Sequence, residues 1–170
     1  MMAPAADDYQ PLPHQAMLPS TEGSAFRRQA VARITILVVD DSTVIRLLVS
    51  RHLQDRGFLT VEVADGQEAL EALAVRKFDI LITDLEMPRM DGHALLDAVQ
   101  DQYPLMRRIV MTGFTTINNA LSALKYGAIG FVPKPVDTAA LDEVVDLAVT
   151  EMRLWIRQLS AIRRLHGKEG

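Results

Sequence analysis

Residues 34–41, Ile-Thr-Ile-Leu-Val-Val-Asp-Asp, place a run of β-branched and aliphatic residues directly before two carboxylates. A run this short and this apolar is typical of a strand that is buried on both faces of a parallel sheet. Ser42 or Thr43 can cap a following helix, and Gly57 suits the left-handed position after its last turn. The segment therefore predicts a strand followed by a helix, with two acidic residues at the strand's carboxyl end.

The same strand-helix unit recurs along the chain. Four further strands are predicted at Phe58–Ala64, Phe78–Thr83, Arg108–Thr112 and Ile129–Val132. The helices after the first are predicted at Gln67–Arg76, Ala94–Gln102, Thr115–Tyr126 and from Thr138 onward. Because right-handed crossovers return each helix to the sheet, this alternation predicts an α/β fold with a doubly wound, five-stranded parallel sheet and five helices.

Composition excludes several classes of protein. The chain of 170 residues has no cysteine, which excludes disulfide frameworks, thiol catalysis and cysteine-bound zinc. Its longest purely aliphatic run, Ile36–Val39, is far shorter than the roughly 20 residues that span a bilayer. Asp7 and Asp8 stand where a secretory signal would be basic. We therefore predict a cytoplasmic protein without a membrane partner, whose net charge of −4 gives no overall attraction to nucleic acid.

The polar residues of interest follow the predicted strands. Asp40 and Asp41 follow the first strand, Asp84 the third, Thr112 the fourth and Lys134 the fifth. The carboxyl ends of parallel strands share one edge of the sheet, where ligands of such folds bind. We therefore expect these five side chains to converge.

Three converging carboxylates repel one another unless a cation neutralises them. An all-oxygen ligand set favours Mg²⁺, Mn²⁺ or Ca²⁺, and Mg²⁺ commonly shares its coordination shell with a phosphate. A carboxylate can attack phosphorus while a metal and an ammonium group neutralise the transferring oxygens. Asp84 is the candidate phosphate acceptor and Lys134 the candidate charge partner. Taken alone, the paired Asp residues could cap a helix, the Thr112 hydroxyl could bond a backbone group, and Lys134 could be a solvated loop charge. Because all of them follow strands at the same edge of the sheet, a functional site is the favoured interpretation.

Four segments carry a family resemblance. They are Leu37–Ser42 (LVVDDS), Asp84–Gly92 (DLEMPRMDG), Met111–Gly113 (MTG) and Phe131–Pro135 (FVPKP). In this order, each at a strand end, they resemble the receiver domain of bacterial two-component response regulators, over roughly residues 34–148. The resemblance implies a flavodoxin-like, CheY-like fold. Residues 1–33 hold four of the eight prolines and show no apolar period, so we predict a flexible leader there, and residues 149–170 are predicted to extend the last helix.

The resemblance also implies the chemistry. A sensor histidine kinase or a phosphotransfer protein would pass a phosphoryl group from phosphohistidine to Asp84. Mg²⁺ would be held by Asp41, Asp84 and the backbone carbonyl of Glu86, with Asp40 acting mainly through water. The domain would catalyse only its own phosphorylation and dephosphorylation, and so would not be an enzyme acting on other substrates.

The resemblance further implies a switch. Thr112 would turn toward the phosphoryl oxygens, and Phe131 would move between outward and inward rotamers, although plain core packing is an equal alternative for Phe131. The Lys134–Pro135 bond is expected to be cis. Glu86 and Phe114 would flank the phosphoryl group and set its lifetime. We expect bulky Phe114 to hinder the hydrolytic water, so that Phe114→Ala would lose phosphate faster.

The last predicted helix is longer than such a domain needs. Its apolar positions continue in a heptad pattern: Leu141, Val145, Ala148, Met152, Trp155, Leu159 and Ile162. The pattern favours a homodimeric coiled coil, with packing of one helix on its own domain as the alternative. No DNA-binding module or catalytic output domain fits in the remaining residues, so we predict a stand-alone regulator that signals to an unknown downstream protein. The competing functions are a phosphate-independent adaptor and a Mg²⁺-dependent aspartyl-phosphate phosphatase.

Overall fold

The computed structural model describes residues 34–113 and 124–166, with side chains described as far as residue 163. Five strands lie in these ranges: β1 (Thr35–Val39), β2 (Leu59–Val63), β3 (Ile80–Asp84), β4 (Arg107–Thr112) and β5 (Ala128–Pro133). The described helices are α1 (Thr43–Asp55), α2 (Gly66–Val75), α3 (Gly92–Gln100) and α4 (Thr138–His166). These bounds agree with the predicted elements to within a few residues, as is usual for element ends.

The five strands form one parallel sheet in the order β2-β1-β3-β4-β5. The chain moves outward from β1 to β2, then crosses back to β3 and continues in the opposite direction. Strand order therefore reverses between β1 and β3, and a crevice opens outside their carboxyl ends. The predicted fold class is confirmed.

The helix count differs from the prediction for a simple reason. The helix predicted at Thr115–Tyr126 falls mostly outside the described residues, which include only its end, where Leu124 and Lys125 are helical. Gly127 follows with a φ of +68°, in the left-handed region that favours glycine. Helix α4 is therefore the fifth helix of the prediction.

Apolar side chains fill both faces of the sheet. One cluster joins α1 and α4 to the sheet through Val49, Leu53, Leu141 and Val145, together with Ile36, Val38, Ile82 and Ile109. The other joins α2 and α3 to the sheet through Leu73, Leu95 and Leu96, together with Leu37, Val39 and Val110. Each fully buried aliphatic side chain contributes roughly 1.5–3 kcal/mol to folding. Because the apolar residues lie within the strands, the polar residues collect beyond the strand ends.

The start of α1 differs from the predicted cap. Ser42 occupies the N-cap position, but its hydroxyl makes no capping hydrogen bond. Instead the Ser42 N–H donates to Asp40 Oδ1 at 2.9 Å. The acidic residue before the helix thus organises this turn, and the prediction that Ser42 or Thr43 caps the helix through its side chain was wrong.

Helix α4 has two different halves. Leu141, Val145 and Ala148 are fully buried in the core of their own domain, whereas Trp155 and Leu159 are about half exposed. The predicted coiled-coil seam is therefore wrong for its first half, where the alternative of packing on the same domain holds. Although α4 has 29 residues, neither it nor any other described helix is apolar enough over a sufficient length to cross a membrane.

Candidate metal centre

Strands β1 and β3 bring three carboxylates together. Asp84 is the last residue of β3, and Asp40 follows β1 directly. Val39 pairs with Thr83 in the parallel register, so the two acidic residues leave the sheet at the same level. Asp41 lies next to them and is exposed. One carboxylate oxygen from each of Asp40, Asp41 and Asp84 lies within 4.8 Å of the others.

Lys134 completes the cluster from the loop after β5. Its Nζ donates to Asp84 Oδ2 at 2.6 Å and lies 2.7 Å from Asp40 Oδ2. Its backbone N–H donates to the Thr112 carbonyl at 2.8 Å, which holds the loop against the end of β4. The Lys134–Pro135 peptide bond is cis. The side chains of Asp40, Asp41, Asp84 and Lys134 thus lie together, and one ammonium group bridges two of the three acids. Thr112 meets the Lys134 loop through its backbone carbonyl.

Burial shapes the charge states of this cluster. Burial raises the pKa of Asp40, and the hydrogen bonds from Lys134 and Ser42 oppose this effect without cancelling it. For Lys134, burial acts to lower the pKa, but hydrogen bonds to Asp40 and Asp84 outweigh burial and raise the pKa overall. Lys134 is therefore a firmly protonated cation, whereas the charge of Asp40 is costly in the folded protein.

The donor set fits a hard divalent cation. Asp40 Oδ2 is buried, and its partner among the described residues is the Lys134 ammonium, 2.7 Å away. Asp84 Oδ1 accepts the Leu85 N–H at 2.7 Å. One ammonium group does not balance three carboxylates, and all available ligand atoms are oxygens, which suits Mg²⁺. Asp40, Asp41 and Asp84 are the side chains that could hold it.

The loop of residues 85–91 fixes the backbone of Asp84. The Gly92 N–H donates to the Leu85 carbonyl at 3.0 Å and closes the loop at its base. A Cβ at Gly92 would lie 2.0 Å from the Asp84 carbonyl oxygen, so only glycine allows this approach. The Thr83 hydroxyl donates to that same oxygen at 2.8 Å. Glu86 is exposed within the loop, and its predicted role as a carbonyl ligand stays a prediction.

The remaining predicted residues lie at different depths. Thr112 is buried at the end of β4, beside the Lys134 loop. Phe131 is 47% exposed on β5, which does not fit the alternative of plain core packing. Phe114 lies outside the described residues. The roles assigned to Thr112, Phe131, Glu86 and Phe114 remain predictions.

Two arginines near the site were missed by sequence reasoning. Arg46 Nη1 donates to the Asp40 carbonyl at 2.5 Å, and its Nη2 donates to Thr43 Oγ1 at 3.0 Å. Arg89, in the loop of residues 85–91, forms ion pairs with Asp65 and Glu68. The position of Arg46 on the first turns of α1 was a usable signal, whereas nothing in the sequence around Arg89 indicates its partners.

This arrangement is matched by a known family. The profile of the response regulator receiver domain matches residues 36–146, well over half of the chain. The chain belongs to the response regulator receiver domain family. The family predicted from the sequence motifs is thereby confirmed.

Solved receiver domains share the fold at low sequence identity. The chemotaxis response regulator CheY4 of Vibrio cholerae is 34% identical with a TM-score of 0.64, covering 68% of this chain and 98% of its own. NtrX from Brucella abortus is 35% identical with a TM-score of 0.69, covering 75% of this chain and 29% of its own. The similarity thus extends both to a receiver domain by itself and to part of a longer protein.

Curated relatives correct the prediction about partners. The DNA-binding transcriptional regulator NtrC of Escherichia coli K12 is 39% identical over 112 residues, which cover 66% of this chain and 23% of the relative. A putative NtrX-like response regulator of Rickettsia felis is 33% identical, over 65% of this chain and 24% of the relative. The chain thus spans about a quarter of these relatives. Excluding a DNA-binding domain, and naming protein contacts as the sole output, was wrong for regulators of this kind.

The error arose because the prediction used only properties of this chain. A net charge of −4 and the length of the last helix describe this chain alone. They carry no information about modules that accompany receiver domains in the matched relatives. The predicted absence of a DNA-binding domain and the stand-alone status are therefore not carried forward.

Proposed function

We propose that this receiver domain accepts a phosphoryl group on Asp84 from the phosphohistidine of a histidine kinase or phosphotransfer protein. The observation that carries the proposal is the placement of Lys134 Nζ, 2.6 Å from Asp84 Oδ2 and 2.7 Å from Asp40 Oδ2. An acceptor carboxylate with a fixed cation beside it can receive a phosphoryl group whose oxygens need neutralising. The domain acts on itself in this reaction and is not an enzyme for other substrates.

The transfer replaces the donor's phosphorus–nitrogen bond with an acyl phosphate on Asp84. A carboxylate oxygen of Asp84 forms a bond to phosphorus as the bond from phosphorus to the imidazole nitrogen breaks. The imidazole leaves with the electron pair of that bond and takes a proton. Lys134 already contacts Asp84, so its ammonium neutralises charge on the transferring group without a large movement. Hydrolysis of the acyl phosphate by water later restores the Asp84 carboxylate.

The acidic cluster supports Mg²⁺ as the cofactor. When bound, Mg²⁺ would neutralise the phosphoryl oxygens and orient them toward the acceptor. Asp41 and Asp84 would hold it directly, with the backbone carbonyl of Glu86 as a third ligand and Asp40 acting mainly through water. Among the described residues, the local feature that favours a bound cation is the cluster of three carboxylates with the one ammonium group of Lys134 beside it.

We further propose that phosphate on Asp84 changes a surface through Thr112 and Phe131. Thr112 ends β4 and shares a backbone hydrogen bond with the Lys134 loop, so a movement of its hydroxyl toward phosphate would be felt in β5. Phe131 lies on β5 and is about half exposed, which leaves it free to change its rotamer. The altered surface would be the region around β5 and α4.

The test is phosphorylation by a small donor. The protein is incubated with MgCl₂ and acetyl phosphate, and its intact mass is measured for wild type, Asp84→Asn and the control Asp97→Asn. Asp97 is exposed on α3 and offers a carboxylate outside the cluster. We expect one phosphoryl group on wild type and on Asp97→Asn, none on Asp84→Asn, and none when EDTA replaces Mg²⁺.

Other outcomes would favour other functions. Phosphorylation that persists in Asp84→Asn would mean that another residue is the acceptor. A wild-type protein that takes no phosphate, although it binds Mg²⁺, would favour a phosphate-independent adaptor. Continuous hydrolysis of unrelated phosphate esters would favour a Mg²⁺-dependent phosphatase.

A further inference from the structure

Arg89 links the loop of residues 85–91 to the start of α2. Its Nη2 donates to Glu68 Oε1 at 2.9 Å and also contacts the carboxylate of Asp65. Both acids are already fixed by backbone groups. Asp65 accepts the N–H groups of Gln67 and Glu68 as the cap of α2, and Glu68 Oε2 accepts the Ala64 N–H at 2.8 Å. The guanidinium therefore holds two anchored carboxylates at once.

The backbone of Arg89 adopts a left-handed conformation, which residues with a Cβ rarely adopt. Its φ is +64°, and among the described non-glycine residues it is the one in the left-handed region. Such a conformation persists in a bulky residue only where surrounding contacts require it. The contacts that the Arg89 side chain makes are its ion pairs with Asp65 and Glu68.

A second contact lies beside the first. The Gly66 N–H donates to the Met90 carbonyl at 3.1 Å, and a Cβ at Gly66 would lie 2.5 Å from the Met90 side chain. The same loop is closed at its base by Gly92 and Leu85. The loop is thus held at its base and along its far side, and Glu86 lies between these two attachments.

We propose that Arg89 is a positioning residue for the metal site. Its ion pairs with Asp65 and Glu68 hold the shape of the loop of residues 85–91, from which the Glu86 carbonyl would serve as the proposed metal ligand. This inference rests on the proposed function, because it concerns the Mg²⁺ that the acidic cluster would hold. Arg89 itself touches neither the metal nor the phosphate in this role.

The experiment compares Mg²⁺ affinity with the mobility of the loop. Binding of MgCl₂ is measured by isothermal titration calorimetry, and amide hydrogen exchange of residues 85–91 is measured without metal. The variants are Arg89→Ala, Arg89→Gly, Arg89→Lys and the control Arg153→Ala, which removes an exposed arginine from α4. Circular dichroism confirms that each variant is folded.

We expect Arg89→Ala and Arg89→Gly to bind Mg²⁺ about tenfold more weakly, in the range seen when a residue that orients metal ligands is removed. Their loop amides should exchange faster, whereas Arg153→Ala should match wild type. Arg89→Lys, which keeps the charge, should recover part of the affinity. Glycine adopts a positive φ without steric cost but cannot form the ion pairs. The Gly variant therefore separates the effect of the backbone conformation from that of the ion pairs.

Two results would overturn the inference. Wild-type affinity in Arg89→Gly would mean that backbone conformation, and not the ion pairs, sets the loop. Wild-type affinity in all Arg89 variants would mean that the loop needs no such support. Failure of the wild-type protein itself to bind Mg²⁺ would instead overturn the proposed metal site, and with it the positioning role.

Discussion

At the scale of single residues, Asp40 shows how a site can oppose stability. Its carboxylate is fully buried, with the Ser42 N–H on one oxygen and the Lys134 ammonium beside the other. Burial raises the pKa of Asp40. When the pKa of an acid is raised by folding, the protein loses stability as the pH rises and that acid becomes charged. The charged form of Asp40 therefore lowers the free energy of unfolding.

We therefore expect Asp40→Asn to stabilise the protein in the absence of metal. Asn keeps an oxygen for the Ser42 N–H but carries no charge. The gain should appear above pH 3.8, the ordinary pKa of Asp, and grow until Asp40 is fully charged in the folded wild type. Urea unfolding from pH 3 to 7 measures it, with Asp97→Asn as the control. A variant less stable than wild type at neutral pH would contradict this reading.

The pKa of Glu68 is shifted in the opposite direction, and so its effect on stability is also opposite. The hydrogen bond from the Ala64 N–H, followed by that from Arg89, lowers the pKa of Glu68 below its ordinary value of 4.5. A lowered pKa means that Glu68 stabilises the fold above pH 4.5 and that this contribution is lost as pH falls through the folded-state pKa.

We expect Glu68→Gln to be less stable than wild type at pH 7 and to approach wild type at acid pH. The free energy of unfolding, measured in urea between pH 3 and 7, should fall less steeply for the variant below pH 4.5. Glu71→Gln changes a neighbouring exposed acid and is the matched control. Parallel curves for wild type and Glu68→Gln would contradict the assignment.

At the scale of elements, the junction of β3 and α3 depends on one glycine. A Cβ at Gly92 would meet backbone atoms of Asp84 and Leu85, which cannot move without disturbing the strand end. We expect Gly92→Ala to cost about 2–3 kcal/mol of unfolding free energy. Gly113→Ala is the control, because a Cβ there would meet nothing within 4 Å. Equal effects in chemical denaturation would contradict this account of the junction.

The two halves of α4 should respond differently to truncation of their side chains. Leu141 is fully buried, so Leu141→Ala should cost about 2–5 kcal/mol. Trp155 is 48% exposed, and Trp155→Ala should change the free energy of unfolding by about 0.5 kcal/mol or less. Thermal and urea unfolding of the two variants checks this. A comparable loss for Trp155→Ala would show that the outer half of α4 is buried in the folded state.

At the scale of the whole molecule, Mg²⁺ should stabilise the native state by mass action. A ligand at 100 times its Kd adds about 2.7 kcal/mol when it binds only the folded protein. We expect Tm to rise with the logarithm of MgCl₂ concentration and to return to its starting value with EDTA. NaCl of equal ionic strength controls for screening. A Tm that rises equally with NaCl would point to general screening of the acidic cluster.

The whole fold was predictable because its signals are local and repeated. Apolar runs that end in Asp40, Asp84 and Lys134 place these residues on one edge once the strands are known to be parallel. Contacts that depend on three-dimensional placement were not predictable. The sequence near Arg89 does not indicate its positive φ or its ion pairs, because the partner acids Asp65 and Glu68 lie at the start of α2.

Two other misjudgements have physical causes. Ser42 stands where a cap is expected, yet Asp40 binds its N–H and organises the turn instead. The apolar positions of α4 follow a regular spacing throughout, but spacing alone cannot show where the sheet ends. Leu141 lies over the sheet and Trp155 lies beyond it, so equal sequence signals lead to unequal burial.

The position of Lys134 in the chain determines when the charged residues of the site become available during synthesis. Asp40 and Asp84 meet where β1 pairs with β3, but the ammonium that lies between them comes from the loop after the last strand. During synthesis from the N-terminus, the two acids are therefore available before their internal counterion. Any partly formed sheet that holds the two acids together before residue 134 has been added therefore lacks the Lys134 ammonium that offsets their repulsion in the complete site.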